Sequence, residues 1–149
     1  MGNYYQYSKG VGNVGSYQVS GIPYATASFT VAAAGSTPTE VAFPFVTKFV
    51  TISNTNTGTN VPLRFGFSSL GVTGSVAGGT NYYFTLDNGD SYTGEFRITN
   101  LYLLSDTAAT ETSASIVAGL TGIQALSRNR RCKAALHPQW SEWSPHSAR

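Results

Sequence analysis

At 149 residues the chain is sized for one domain with a real core, yet charged side chains make up only 11% of it, against a usual ~25%. Aromatics reach 13%, with nine Tyr and eight Phe set among many small polar residues and Gly, which predicts an all-β protein rich in turns and argues against a helical one. The formal charge of +2 hides a division: residues 1–124 carry four basic and six acidic side chains, net −2, while 125–149 carry five basic and one acidic, net +4, so composition supports no nucleic-acid-binding patch on the body.

Residues 1–14, an N-terminal arm, hold Tyr4, Tyr5 and Tyr7 with little periodicity. They read as a segment that packs over its own domain or docks on a neighbour. No basic-then-apolar pattern opens the chain, so no secretory leader is expected. Gln6 stands where a myristoylation pattern wants Ser or Thr. No run of about 18 apolar residues occurs, so no membrane span is expected.

The domain itself is placed at 15–124. SYQVSGIP (16–23) and SFTVAAA (28–34) alternate as strands do and stop at turn residues. EVAFPFVTKFVTISN (40–54) is the longest apolar run. Pro44 inside it marks an edge, a bend or the start of the strand proper, because it cannot donate to a ladder. Beyond it Phe45, Thr47, Phe49 and Thr51 are expected on one face and Val46, Lys48, Val50 and Ile52 on the other, with both faces covered. NTNTGTN (54–60) is a loop. VPLRFGFSSLGV (61–72) sets Leu63, Phe65 and Phe67 opposite Arg64, Gly66 and Ser68. TGSVAGGT (73–80) is a second long loop. NYYFTLD (81–87) is a strand, followed by Asp87-Asn88-Gly89-Asp90, whose Asn-Gly pair is a strong hairpin signal. SYTGEFRITNLYLLSD (91–106) and TSASIVAGL (112–120) complete the set.

The expectation is thus about eight strands, no amphipathic helix and no internal repeat. That spacing means an antiparallel two-sheet sandwich or barrel, jelly roll or immunoglobulin-like, and the long loops favour Greek-key or jelly-roll connections.

The body offers little for catalysis. It has no His and no Cys, so neither a Ser-His-Asp arrangement nor a Cys/His zinc site can be built from it, and it needs no disulfide. Asp87, Asn88 and Asp90 have the oxygen ligands of a calcium site but not the EF-hand spacing, so a turn held by Asx side chains is favoured. Tyr82, Tyr83 and Tyr102 could stack on sugar rings, although core packing is favoured, with one of Tyr82 and Tyr83 inside. No enzyme activity, metal or cofactor is expected.

Residues 125–149 break from everything before them. They hold the only cysteine, Cys132, both histidines, His137 and His146, and both tryptophans, Trp140 and Trp143. A phosphate-binding arm, a thiol activated by Arg131 and Lys133, and a metal site are all weaker readings than a disordered basic or non-native extension, which is set aside from the fold.

Taken together, VGSYQVSGIPYA (14–25), FPFVTKFVTISNT (43–55), LRFGFSSLGV (63–72), NYYFTL (81–86), EFRITNLYLLSD (95–106) and SIVAGLTGI (115–123) resemble small single jelly-roll capsid proteins of large icosahedral double-stranded DNA viruses, especially those of the five-fold vertices. The resemblance covers roughly 14–123 and rests on the order and character of the strands. It implies a single jelly roll that forms a homopentameric penton in the virion, set among major and minor capsid proteins. Candidate subunit contacts are then Tyr4, Tyr5 and Tyr7 in the arm, Asn56, Thr57 and Asn60 in the first long loop, and Val76 in the second. Low charge suits such a surface, since interface cores are depleted in charge. A carbohydrate- or receptor-binding β-sandwich, as in a fibre tip or decoration protein, is the alternative. It should show exposed aromatics and a groove.

Overall fold

Strands alternate between two sheets as the chain advances, except that the fourth and fifth share one sheet. The structure, a computed structural model, describes residues 21–74 and 81–125. Within them lie β1 (Ile22–Val31), β2 (Thr39–Ala42), β3 (Phe45–Asn54), β4 (Leu63–Gly66), the short helix α1 (Ser69–Thr73), β5 (Phe84–Leu86), β6 (Ser91–Gly94), β7 (Asn100–Ser105) and β8 (Thr112–Gln124). One sheet has the order β1-β8-β3-β6 and the other β2-β7-β4-β5, with every pairing antiparallel. β1 pairs with β8, β2 with β7, β3 with β6 and β4 with β5. A single long antiparallel ribbon is therefore wrapped so that successive pairs fall in opposite sheets. This wrapping is the jelly roll, and it decides between the two sandwiches that strand spacing left open.

The core lies between the sheets. β8 buries Thr112, Ala114, Ile116, Ala118 and Leu120, the period-two set of one strand face. Val31, Val50 and Ile52 join it from the same sheet, and Leu63, Phe65, Leu101 and Leu103 meet it from the other. Each large apolar side chain so buried contributes about 1.5–3 kcal/mol.

Three long stretches read as single strands are divided. The 40–54 run breaks at Pro44, and β3 begins directly after it. Phe43 N donates to Thr99 O at 2.8 Å, which turns the chain from one sheet to the other. The expected alternation along β3 also shifts phase. A register irregularity falls between Thr47 and Phe49, so Thr47 is buried before it and Val50, Ile52 and Asn54 after it. The outer face, with Phe49, Thr51 and Ser53, is half-buried rather than covered.

The 91–106 run likewise divides into β6, a crossing segment and β7. Thr47 anchors the crossing: its Oγ1 donates to Phe96 O at 2.5 Å and accepts from Ile98 N at 3.1 Å.

The third stretch, 61–72, stops at Gly66 and turns into α1. Ser68 Oγ accepts from Gly71 N at 3.1 Å, and Gly74, with φ 72°, closes the other end. Five residues are too few to leave a helical period in the sequence, which is why no helix was expected. Gly66 is required here by close approach. A Cβ on it would lie 2.8 Å from Tyr82 O and 2.8 Å from Val72 Cγ2. Gly66→Ala is expected to cost about 1–3 kcal/mol in urea unfolding, the range for overpacking.

The Asn-Gly turn is present, with Asp90 N donating to Asp87 O at 3.0 Å and Gly89 at φ 81°. The expected hairpin is not, because β5 and β6 lie in different sheets. Gly89 N donates to Asn54 O and Asp90 O accepts from Asn54 N, both at 3.0 Å, so β3 captures the chain as it leaves the turn.

Candidate functional site

Three surfaces stand out, one at each end of the sandwich and one along an edge. Asn56, Thr57 and Asn60 lie together in the first long loop, at the end that also holds the 87–90 turn. Tyr4, Tyr5, Tyr7 and Val76 lie outside the described residues, as does the extension with Cys132, His137 and His146.

The first loop is built on a buried polar side chain. Asn54 is 1% exposed. Its Nδ2 donates to Val61 O at 3.0 Å, to Leu86 O at 3.1 Å and to Asn88 Oδ1 at 3.4 Å. Its Oδ1 accepts from Asn56 N and from Thr112 Oγ1, both at 3.2 Å. Asn88 locks the loop from outside: Oδ1 accepts from Val61 N, Nδ2 donates to Thr59 O at 3.0 Å, and its backbone N donates to Asn60 Oδ1 at 3.3 Å. Asn56 Nδ2 also reaches Thr59 O at 3.0 Å. Thr57, Gly58, Thr59 and Asn60 are exposed on this frame. The arrangement makes a rigid display of hydroxyl and amide groups, held mostly by neutral hydrogen bonds. Asn88 is committed to the loop, and among the described residues no cluster of three or more His, Cys, Asp or Glu side chains forms a metal site.

The second surface was not foreseen from the sequence. Its core anchor is Phe65, which is 0% exposed. Phe84 stacks on it with centroids 5.4 Å apart, and Tyr92 stacks near-parallel on Phe84 at 6.0 Å and 13°. Phe96 follows at 6.2 Å and 18°, and Phe67 meets Phe96 edge-on at 4.9 Å. Phe84 belongs to β5 and Tyr92 to β6, the last strands of the two sheets, so the ladder closes the open edge of the sandwich. Phe84 is 54% exposed and nearby Tyr82 and Leu70 are 60% and 68% exposed. These side chains make an exposed apolar strip along this edge.

The third surface is a cleft of about 720 Å³ at the other end, lined by Glu40, Phe43, Pro44, Phe67, Ile98, Thr99, Asn100, Tyr102 and Ala125 among others. Glu40 Oε1 accepts from Asn100 Nδ2 at 2.5 Å and from Tyr102 Oη at 3.3 Å.

Of Tyr82 and Tyr83, one is expected inside and one outside, and neither Tyr83 nor Tyr102 is fully buried. Tyr82 is exposed, and Tyr83 is half-buried with the Arg64 guanidinium 4.6 Å from its ring centroid. Arg64 in turn pairs with Asp106. Tyr102 is half-buried on the cleft wall. No helix among the described residues is long and apolar enough to cross a membrane. No protein-family model matches the chain, and no curated protein matches it either.

Proposed function

We propose that the chain is a structural virion protein, a single jelly-roll capsid subunit that forms a homopentameric penton at the five-fold vertices and packs against neighbouring capsid proteins. The observation that carries this reading is the exposed aromatic strip along the β5–β6 edge, which leaves Phe84 54% exposed. A jelly roll by itself serves many functions, so the fold alone does not choose among them. The strip supports the capsid reading, because a lone soluble domain gains little from partly exposed rings along an open sheet edge. In a five-fold ring each subunit uses two different surfaces, and the contacts close by rotation. The β5–β6 edge supplies one such surface, and the rigid 54–60 loop is placed to supply lateral polar contacts. The chemistry asked of the protein is shape and adhesion.

The alternative, a carbohydrate- or receptor-binding module, finds the exposed aromatics and the groove expected of it in Tyr82, which stacks on no ring among the described residues, and in the cleft lined by Tyr102. It is disfavoured by the ladder itself. Sugar stacking needs free ring faces, and Phe84, Tyr92 and Phe96 turn their faces toward one another at 13° and 18°.

Light scattering coupled to size exclusion on the full chain tests the reading. A discrete mass of five chains is expected. A concentration-independent monomer that binds immobilised glycans would replace the vertex role with the alternative.

A further inference from the structure

The chain has one Asn-Gly pair, Asn88-Gly89, and it lies in the turn that fastens the first long loop. Such a pair carries a reaction of its own. The peptide nitrogen of the following residue can attack the side-chain amide carbon, and glycine has no side chain to block the approach. Here each group that would take part is held elsewhere. Gly89 N donates to Asn54 O at 3.0 Å. Asn88 Oδ1 accepts from Val61 N at 3.0 Å and from Asn54 Nδ2 at 3.4 Å. Asn88 Nδ2 donates to Thr59 O at 3.0 Å and to Gly58 O at 3.4 Å. The nucleophile and the amide it would attack are thus bound to different neighbours, although the turn lies at the surface, with Gly89 exposed and Asn88 half-buried.

We propose that Asn88 is a deamidation site that the 54–60 loop holds closed, and that its conversion unfastens that loop. Gly89 N bonds to Asn88 Cγ, the Cγ–Nδ2 bond breaks, and Nδ2 leaves as ammonia with the proton that Gly89 N gives up. One water then opens the cyclic imide. Attack at Cγ leaves an aspartate at position 88, and attack at the main-chain carbonyl leaves an isoaspartate. The first step needs Asn88 to turn its Cγ toward Gly89 N, which breaks its bonds to the loop. The rate therefore follows the fraction of molecules in which the turn is open. Asn54 sets that fraction, because its carbonyl holds Gly89 N and its amide holds Asn88 Oδ1. The product cannot be refastened. A carboxylate has no N–H to offer, so Thr59 O and Gly58 O lose their donor. A new negative charge also sits between Asp87 and Asp90. In the isoaspartate form the main chain is one carbon longer, which displaces Gly89 N from Asn54 O. This inference stands apart from the capsid reading, and either can fail without the other.

Peptide mapping of the full chain after long incubation in mildly alkaline buffer reads conversion at Asn88, and ion exchange reads the charge it adds. Conversion is expected to be about tenfold or more slower in native protein than in the same chain in urea. Asn54→Ala should speed the native reaction several-fold. Thr112→Val loosens Asn54 more gently, so it should give a smaller acceleration, and it serves if Asn54→Ala does not fold. Asn88→Asp writes the product in directly and should speed amide hydrogen exchange across residues 56–61 about tenfold, with the buried amides of β8 unchanged. Equal rates in native and unfolded protein, or no conversion in either, would overturn the inference. So would a native rate that neither the Asn54 nor the Thr112 variant moves, since the loop would then not be what holds the site. Unchanged exchange across 56–61 in Asn88→Asp would overturn the link between conversion and the loop.

Discussion

Asn54→Ala is expected to destabilise the protein by about 3–5 kcal/mol and to lower Tm by about 10–20 °C. The side chain is 1% exposed and uses both ends of its amide. Nδ2 satisfies Val61 O and Leu86 O, which come from the two arms that flank the first long loop and β5. Oδ1 satisfies Asn56 N and takes the Thr112 hydroxyl. Alanine leaves Leu86 O and Asn56 N without this partner and Val61 O with only the Thr112 hydroxyl, at about 1–3 kcal/mol for each group that water cannot reach. Asn54→Asp keeps the acceptor, loses the donors and buries a charge, so it should be at least as damaging. Thr112→Val removes only the hydroxyl that donates to Asn54 Oδ1 or Val61 O, and about 1 kcal/mol is expected. Urea unfolding of the three variants orders them. A loss below about 1 kcal/mol for Asn54→Ala would mean that water or a shifted loop takes over the bonds, and the 54–60 loop would then not be the rigid element described above.

The faces of the strands were legible in the sequence, but the corners were not. Period-two alternation marks which side of β4 and β8 meets the core: Leu63, Phe65, Ile116 and Leu120 are all buried. It cannot say where a strand leaves one sheet for the other, because the partners that decide this are distant. Pro44 hinted at a break. The crossing at 95–99 depends on Thr47, about fifty residues away in sequence, and nothing in Glu95–Thr99 announces it. The Asn-Gly pair correctly marks a turn and wrongly suggests a hairpin, since local turn chemistry fixes the bend and the Asn54 backbone fixes the sheet.

The site divides in the same way. An Asn- and Thr-rich loop at 54–60 is plain from composition, while its anchor, Asn54, looks like the end of a strand. Phe84 and Tyr92 sit in stretches that read as ordinary strands. Alternation reports the face of a strand and not whether the strand is an edge, so their exposure became visible only with the sheet order. Phe67 shares a parity with Leu63 and Phe65 but is exposed, because β4 ends one residue before it.

Phe65 and Phe84 stack on each other and should nonetheless behave in opposite ways. Phe65→Ala empties a fully buried site under both rings of the strip and is expected to cost about 3–5 kcal/mol, or about 10–20 °C in Tm. Phe84→Ser removes a ring that is 54% exposed and forfeits one stacked pair and part of its buried area, about 1–2 kcal/mol. If the strip is an intersubunit contact, the order reverses for assembly. Phe84→Ser should then yield folded protein that runs as a monomer, and a second exposed-ring variant, Tyr92→Ser, should follow it. Phe65→Ala should lose assembly only to the extent that it unfolds. Melting curves and solution mass, measured on the same samples, separate the two effects. A Phe84→Ser protein with unchanged mass would remove the β5–β6 edge from the subunit interface. Any subunit ring would then have to close through the 54–60 loop and the remaining faces of the sandwich, where no comparable run of exposed rings is found among the described residues.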